Sequence, residues 1–518
     1  MGACRWDKTR VCFAEEEALQ WAPMTTAKKI LGNTVIQVAG RGIMAVTSIG
    51  ILKSISHFLS VEGYGQYTAV YEFLGFFGIA ADFGLFTIGV REMSRGVRDR
   101  NFVAGNILGM RVVTAAVAMA LAVVGAFVIP AYQGTFIPEG VSIAAFAVFF
   151  AILQGTVSSV LQVELKMQYA TLALVSGKLL SFGWMLAVIF YFFVGEPNQT
   201  SFNQLMIAGL LGNLFSFLAT YYYAARYAKL LPCFDKVYWK EVIVGAFPYG
   251  IALVLNMVYF HIDSLLILFI KGPHELGFYG PAMRILEILN VIPVFFMNSV
   301  LPVLSRSLTE KKKVERILQL CMNFLYMAGL PMAIGLYLLA YPIIFIITQP
   351  EFMSQLDKGI YGSDIALQVL AIAMCISFSS SLYNYSLVAL GKQSKLLWIN
   401  GGAAVFNILI NLWAIPRWGF RGAAWTTVAT EVFILLVAGW TARRFLAYKV
   451  EWGNFVKISA AGLAMGMVVY FLKDPTYHLW GLQNFNVALL TVLGAGVYIG
   501  LLFAFNVFPE EVRKKVQF

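Results

Sequence analysis

This sequence predicts an all-α integral membrane protein of about fourteen transmembrane helices, on three observations. Fourteen long apolar stretches run almost end to end along its 518 residues. Charged residues make up 13%, about half the ~25% of soluble domains, and mean hydropathy is +0.75. The number of basic residues between the stretches alternates from loop to loop. A bilayer core of about 30 Å takes roughly 20 apolar residues per helix. The stretches are long enough for that, and they leave little chain in which to build a soluble active site.

The elements follow in order. Residues 1–23 are mixed in composition, acidic at Glu15, Glu16 and Glu17, and lack the apolar core of a signal peptide. Met24-Thr-Thr-Ala-Lys-Lys then gives a basic lead into span 1. Residues 1–23 therefore read either as a disordered tail or as a stretch upstream of a start at Met24. The predicted spans are 30–52, 64–88, 105–129, 141–162, 170–194, 204–225, 242–270, 277–303, 317–347, 363–389, 395–415, 421–442, 456–472 and 486–507. Spans 7 and 9 are long enough to tilt or bend, and span 13 is short. Pro248, near the start of span 7, predicts a kink. Span 11 carries Asn400, Asn407 and Asn411, whose spacings of seven and four put them on one face. They predict a polar cavity wall or hydrogen bonds to a neighbouring helix.

Orientation follows from the basic residues. With the N-terminus inside, inner segments with the helix ends beside them hold 28 of the 38 Lys and Arg, and outer loops with theirs hold 6. This asymmetry predicts a multi-pass protein of the cell (inner or plasma) membrane with both termini cytoplasmic. It also accounts for most of the net charge of +11, so no nucleic-acid partner is expected. The five cysteines show no metal spacing and read as reduced thiols.

The chain repeats weakly. Laying spans 1–2 on spans 7–8 brings Gly65, Tyr67 and Glu72 onto Gly277, Tyr279 and Arg284. Laying spans 5–6 on spans 11–12 brings Leu165 and Gln168 onto Leu390 and Gln393. The expected organisation is an N-lobe of helices 1–6 (24–230), a C-lobe of helices 7–12 (231–446), and appended helices 13–14 with a cytoplasmic tail (447–518). Both lobes start on the same side. Transporters so built place their site between the lobes and rock one against the other.

Two blocks carry a family resemblance. Tyr259-Phe-His-Ile-Asp263-Ser-Leu-Leu-Ile, followed by Gly277-Phe-Tyr279-Gly-Pro-Ala282-Met-Arg284, resembles the start of the second lobe in polysaccharide flippases. Ala389-Leu-Gly391-Lys392-Gln393, Asn407, Asn411, Ile415-Pro416-Arg-Trp-Gly419-Phe-Arg-Gly422-Ala423-Ala424-Trp and Glu431 are similar to helices 11 and 12 there. These are the oligosaccharide-lipid (Wzx-type) flippases of the multidrug/oligosaccharidyl-lipid/polysaccharide exporter superfamily. The resemblance implies alternating-access translocation of a polyprenyl-diphosphate-linked oligosaccharide from the inner to the outer leaflet, for cell-surface polysaccharide biosynthesis. The partners it implies are the lipid-linked oligosaccharide, the bilayer and polysaccharide polymerase machinery.

Ionisable residues inside spans are costly and usually face a cavity or a partner. At 1.5 Å per residue, Arg41 and Lys178 lie roughly 13–17 Å from the inner surface. Arg41, Lys178 and Arg284 are the expected cationic cavity for a diphosphate and acidic sugars, because a guanidinium binds phosphate oxygens in pairs. The structural readings beside it pair Arg284 with Asp263 or Glu287, and Arg41 with Glu72 or Asp82. Arg111 reads as snorkelling to the cytoplasmic headgroups. Glu72, Asp82, Asp263, Glu287 and Glu431 are candidates for H+ or Na+ coupling or for ion pairs; no cofactor or resident metal is expected. His261 reads as a packed or hydrogen-bonded residue.

The rival readings are a cation-coupled multidrug exporter, a peptidoglycan-precursor flippase and, more distantly, a membrane glycan polymerase or glycosyltransferase. Short outer loops and the lack of a HExxH, paired-Cys or P-loop pattern argue against an enzyme. No filter sequence or ring of like charge suggests a channel.

Overall fold

The computed structural model describes residues 24–193, 197–308, 310–446, 451–478 and 485–507. The expectation for residues 1–23 lies outside them. Among the described residues fourteen helical segments are long and apolar enough to cross a membrane. No strand forms there; two residues, Gln355 and Ile360, make one isolated bridge.

Span 1 is α1 (Met24–Phe58), apolar over Ile36–Phe58, several residues later than the predicted 30–52. Span 2 is broken into α2 (Val61–Asp82) and α3 (Leu85–Arg95) by Phe83 and Gly84, both at positive φ. Spans 3 to 7 are α4 (Arg100–Val128), α5 (Ile137–Val163), α6 (Met167–Ala187), α7 (Gln199–Ala224) and α8 (Lys236–Lys271). The helix α8 is continuous across Pro248.

Span 8 is again a pair, α9 (Pro273–Leu289) and α10 (Val291–Arg306), separated at Asn290. Span 9 is α11 (Lys311–Leu338), and the short α12 (Ala340–Ile347) follows it as a separate helix within the predicted 317–347. Spans 10 to 14 are α13 (Ser363–Ala389), α14 (Gln393–Trp418), α15 (Phe420–Arg443), α16 (Trp452–His478) and α17 (Phe485–Ala504).

Local chemistry sets several boundaries. Ser60, Asp99, Asn198 and Asp235 each accept a hydrogen bond from an otherwise orphaned N–H at the start of α2, α4, α7 and α8. The same C-terminal turn closes α5 and α13. Lys166 N–H donates to the Leu161 carbonyl at 2.7 Å, and Lys392 N–H to the Leu387 carbonyl at 2.9 Å. Leu165 and Gly391 hold the left-handed position. Structurally Leu165 therefore matches Gly391, one residue beyond the Leu390 of the sequence alignment.

Packing repeats across the chain. Span 1 packs on 5, 2 on 4, 3 on 4, 4 on 6 and 5 on 6. Correspondingly 7 packs on 11, 8 on 10, 9 on 10, 10 on 12 and 11 on 12. Spans 13 and 14 pack on each other, and 13 lies against span 9.

The two sets of six meet where α2 crosses α9. A Cβ on Gly65 would strike the Pro273 carbonyl, and a Cβ on Gly277 would strike the Val61 carbonyl. The contact is reciprocal, as a two-fold relation between the sets requires. It lies at the ends of the helices away from the face that carries most of the Lys and Arg. There the sets are also stitched by Ser56, which donates to the Ile347 carbonyl at 3.0 Å, and by Phe352, edge-on to Tyr64 at 5.7 Å.

Candidate functional site

Two cavities flank this crossing. The first, of about 430 Å³, lies among α1, α2, α6 and α7. Tyr64, Tyr67 and Tyr71 share one face of α2, at spacings of three and four, and form its aromatic wall; their ring centroids are 6.3 and 5.1 Å apart. Ser48, Ser181, Asn213 and Ser216 supply polar groups across from them. The charged lining is Lys178 and Arg284. Lys178 Nζ donates to Ser48 Oγ at 2.5 Å, which holds the ammonium between α6 and α1. Arg284 reaches in from α9, so this cavity takes one cation from each set of six spans.

The second cavity, of about 280 Å³, lies among α8, α9, α13 and α15. Its lining includes Asp263, Glu287, Glu431, His261 and Arg41. Arg41 arrives from α1, and its guanidinium sits 4.4 Å from the Phe295 ring centroid. Each set thus lends one arginine to the other's cavity.

The expected cationic trio is divided. Lys178 and Arg284 share the first cavity, and Arg41 stands in the second. Arg41 pairs with neither Glu72 nor Asp82. Arg284 is bonded to Glu287 at 2.8 Å, one turn along its own helix, and not to Asp263. Arg111 does not snorkel: it is 2% exposed, pairs with Asp82, and donates to the Ile152 carbonyl and Thr156 at 2.9 and 3.0 Å. Asp82 is consumed there. The depth argument failed for Arg111 because partners on α2 and α5 were invisible to it.

The remaining carboxylates separate into two environments. Glu72 meets His261 Nδ1 at 2.9 Å, across the boundary between the two sets of spans. Asp263 is buried and surrounded by neutral donors: Asn411 at 3.0 Å, Thr427 at 2.6 Å and Tyr279 at 3.3 Å. Asn411 also donates to Asn407 at 2.9 Å. Glu431 accepts from Tyr259 and from Ser380, the latter at 3.3 Å. Of the three asparagines on α14, Asn407 and Asn411 make interhelix hydrogen bonds, and Asn400 is half-buried and apart.

A buried carboxylate that accepts from one amide N–H and two hydroxyls can take up a proton, or a monovalent cation if the hydroxyl oxygens turn toward it. Tyr64, Tyr71, Ser48 and Thr427 were not singled out from sequence, and Tyr67 and Tyr259 stood in the repeat and the family block without a site role. Only the tyrosines had a readable signal, their shared helical face.

The fourteen-span fold is that of a membrane transporter, and comparison with known proteins places it in a family. The polysaccharide biosynthesis protein family model matches residues 26–308, more than half of the chain, and the MatE model matches 248–413. The chain belongs to the polysaccharide biosynthesis protein family, within the multidrug/oligosaccharidyl-lipid/polysaccharide exporter superfamily. An uncharacterized membrane protein of Methanocaldococcus jannaschii is 24% identical over 314 residues; the aligned part is 57% of each chain. The lipid II flippase MurJ, in its inward closed conformation, superposes with a TM-score of 0.71 at 15% identity, over 92% of this chain and 98% of that one. An inward-facing multidrug resistance MATE family transporter superposes with a TM-score of 0.62 at 14% identity, over 79% and 98%. These likenesses fix the fold.

Proposed function

We propose that this transporter flips a polyprenyl-diphosphate-linked oligosaccharide from the inner to the outer leaflet of the cell membrane, by rocking a lobe of spans 1–6 against a lobe of spans 7–12. The basic face is then cytoplasmic, as the Lys and Arg asymmetry requires. The observation that carries this reading is the charged lining of the first cavity, Lys178 and Arg284. A diphosphate entering the protein loses hydration, and fixed cations must replace it. The tyrosine wall and hydroxyl groups beside them suit a sugar, which offers apolar ring faces and polar edges. Ligand pockets run about 300–1,000 Å³, so 430 Å³ takes the headgroup and its nearest sugars at once, not a long glycan.

Asp263 and its neutral cage are the coupling element in this reading, loaded by H+ or Na+. The peptidoglycan-precursor flippase shares the diphosphate chemistry and differs only in the glycan. A drug exporter would instead draw on the acidic second cavity, which suits cationic compounds.

The test is surface glycan in cells carrying Lys178→Gln or Arg284→Gln. Both variants should reach the membrane at parental levels and lower surface glycan at least tenfold. Arg284→Lys should recover part of it, keeping the charge and losing the fork. Parental export by both Gln variants contradicts the proposal.

A further inference from the structure

We propose that Glu72, His261 and Glu287 form a binding site for a divalent first-row transition ion, bridging the two sets of six spans. A ligand atom from each lies within 4.8 Å of those of the other two. Glu72 is on α2, His261 on α8 and Glu287 on α9, so the triad joins three helices from both sets. An imidazole nitrogen with two carboxylate oxygens suits zinc and its neighbours, at about 2.0–2.2 Å per bond. Donors around such an ion stand roughly 3–3.5 Å apart by that geometry. The Glu72–His261 distance of 2.9 Å needs only a small widening to admit it.

Three further observations complete the site. Arg284 holds Glu287 Oε2 at 2.8 Å, so one ligand already has the outer hydrogen bond that ligating carboxylates use. His261 and Glu287 line the second cavity and are 26% and 31% exposed, which gives an ion a way in and leaves room for water as a fourth ligand. That cavity has three carboxylates, Asp263, Glu287 and Glu431, against the guanidinium of Arg41 in its lining and that of Arg284 paired with Glu287, which leaves one carboxylate in excess. Its field therefore favours a cation, unlike that of the first cavity.

A bound ion would clamp α2 to α8 and α9. That the clamp arrests transport rests on the alternating-access reading; the site itself does not. The site is tested by Zn2+ binding to the purified full-length protein, read by calorimetry and thermal shift, in wild type, His261→Ala and Glu287→Gln. Wild type should bind one Zn2+ with a rise in Tm that equal Mg2+ does not give. Each variant should bind at least tenfold more weakly and lose the rise. If His261→Ala does not fold, Glu287→Gln and Glu72→Gln carry the test. A merely structural Glu72–His261 pair would lower the starting Tm without any Zn2+ dependence, and that overturns the proposal. So does Zn2+ binding that both variants retain.

Transport is a separate arm. Zn2+ should inhibit flipping in wild type and not in Glu287→Gln. Binding without inhibition keeps the site and removes the clamp.

Discussion

The first six spans and the second six share a packing pattern and carry opposite chemistry. Between α1, α2, α6 and α7 the cavity is lined by two cations and a tyrosine wall. Between α8, α9, α13 and α15 it is acidic, and two of its carboxylates are fully engaged by neutral donors. The first cavity can solvate an anionic headgroup, and the second can hold a cation. The arginines cross over: Arg284 serves the first cavity from the second set, and Arg41 the reverse. Glu72 and Arg284, which align in the repeat, are opposite in sign and lie on facing helices.

The largest effect should come from how each half neutralises a membrane-embedded carboxylate. The first half sets Arg111 against Asp82, and the second surrounds Asp263 with dipoles. Removing one partner of a buried pair strands a charge, at about 3–5 kcal/mol. Arg111→Leu should therefore lower thermal stability in detergent far more than Asp263→Asn, which leaves hydrogen-bonding groups in place. Equal losses would erase the contrast.

The reciprocal crossing comes next. Gly65→Ala and Gly277→Ala should each cost about 1–3 kcal/mol, the usual range for overpacking, and by similar amounts. A loss confined to one would break the two-fold relation. Smaller again is the effect of the three-tyrosine wall of the first cavity. Tyr67→Ala should slow flipping of a glycosylated polyprenyl diphosphate about three- to tenfold and leave the unglycosylated lipid nearly unchanged, since aromatic contacts are worth about 0.5–1.5 kcal/mol. The smallest effect is at the basic face. Arg98 and Glu241 form an ion pair at 2.8 Å with both side chains well exposed. Arg98→Ala should change stability by less than about 1 kcal/mol.

Fourteen spans were legible because bilayer thickness imposes a length and a hydropathy that any sequence must display. The repeat set Gly65 on Gly277 in the sequence, but that the two meet where α2 crosses α9 was visible only in the packing. The breaks at Phe83 and at Asn290 were not legible, because the apolar run continues through both. Which charges lie inside the spans was legible, and their partners were not. Depth along a helix places Arg41, Lys178, Arg111 and Arg284 along one axis only. Whether a side chain meets a carboxylate, a ring or an open cavity depends on azimuth and on the neighbouring helix. Arg111 found Asp82, and Arg41 found Phe295. Lys178 lines the first cavity, and so does Arg284 while paired with Glu287.

The central claim is that the first cavity's cations, and not the second cavity's arginine, hold the anionic headgroup. Equilibrium binding of farnesyl diphosphate, a short polyprenyl diphosphate, to the purified protein tests it most directly. Lys178→Gln and Arg284→Gln should each weaken binding at least tenfold, consistent with hydrogen bonds to charged groups worth about 1.5–3 kcal/mol. Arg41→Gln should stay within about twofold of wild type, as a group in the other cavity far from the phosphates' counter-charges must. Losses for Arg41→Gln that match the other two, or unchanged binding in all three variants, would contradict the account.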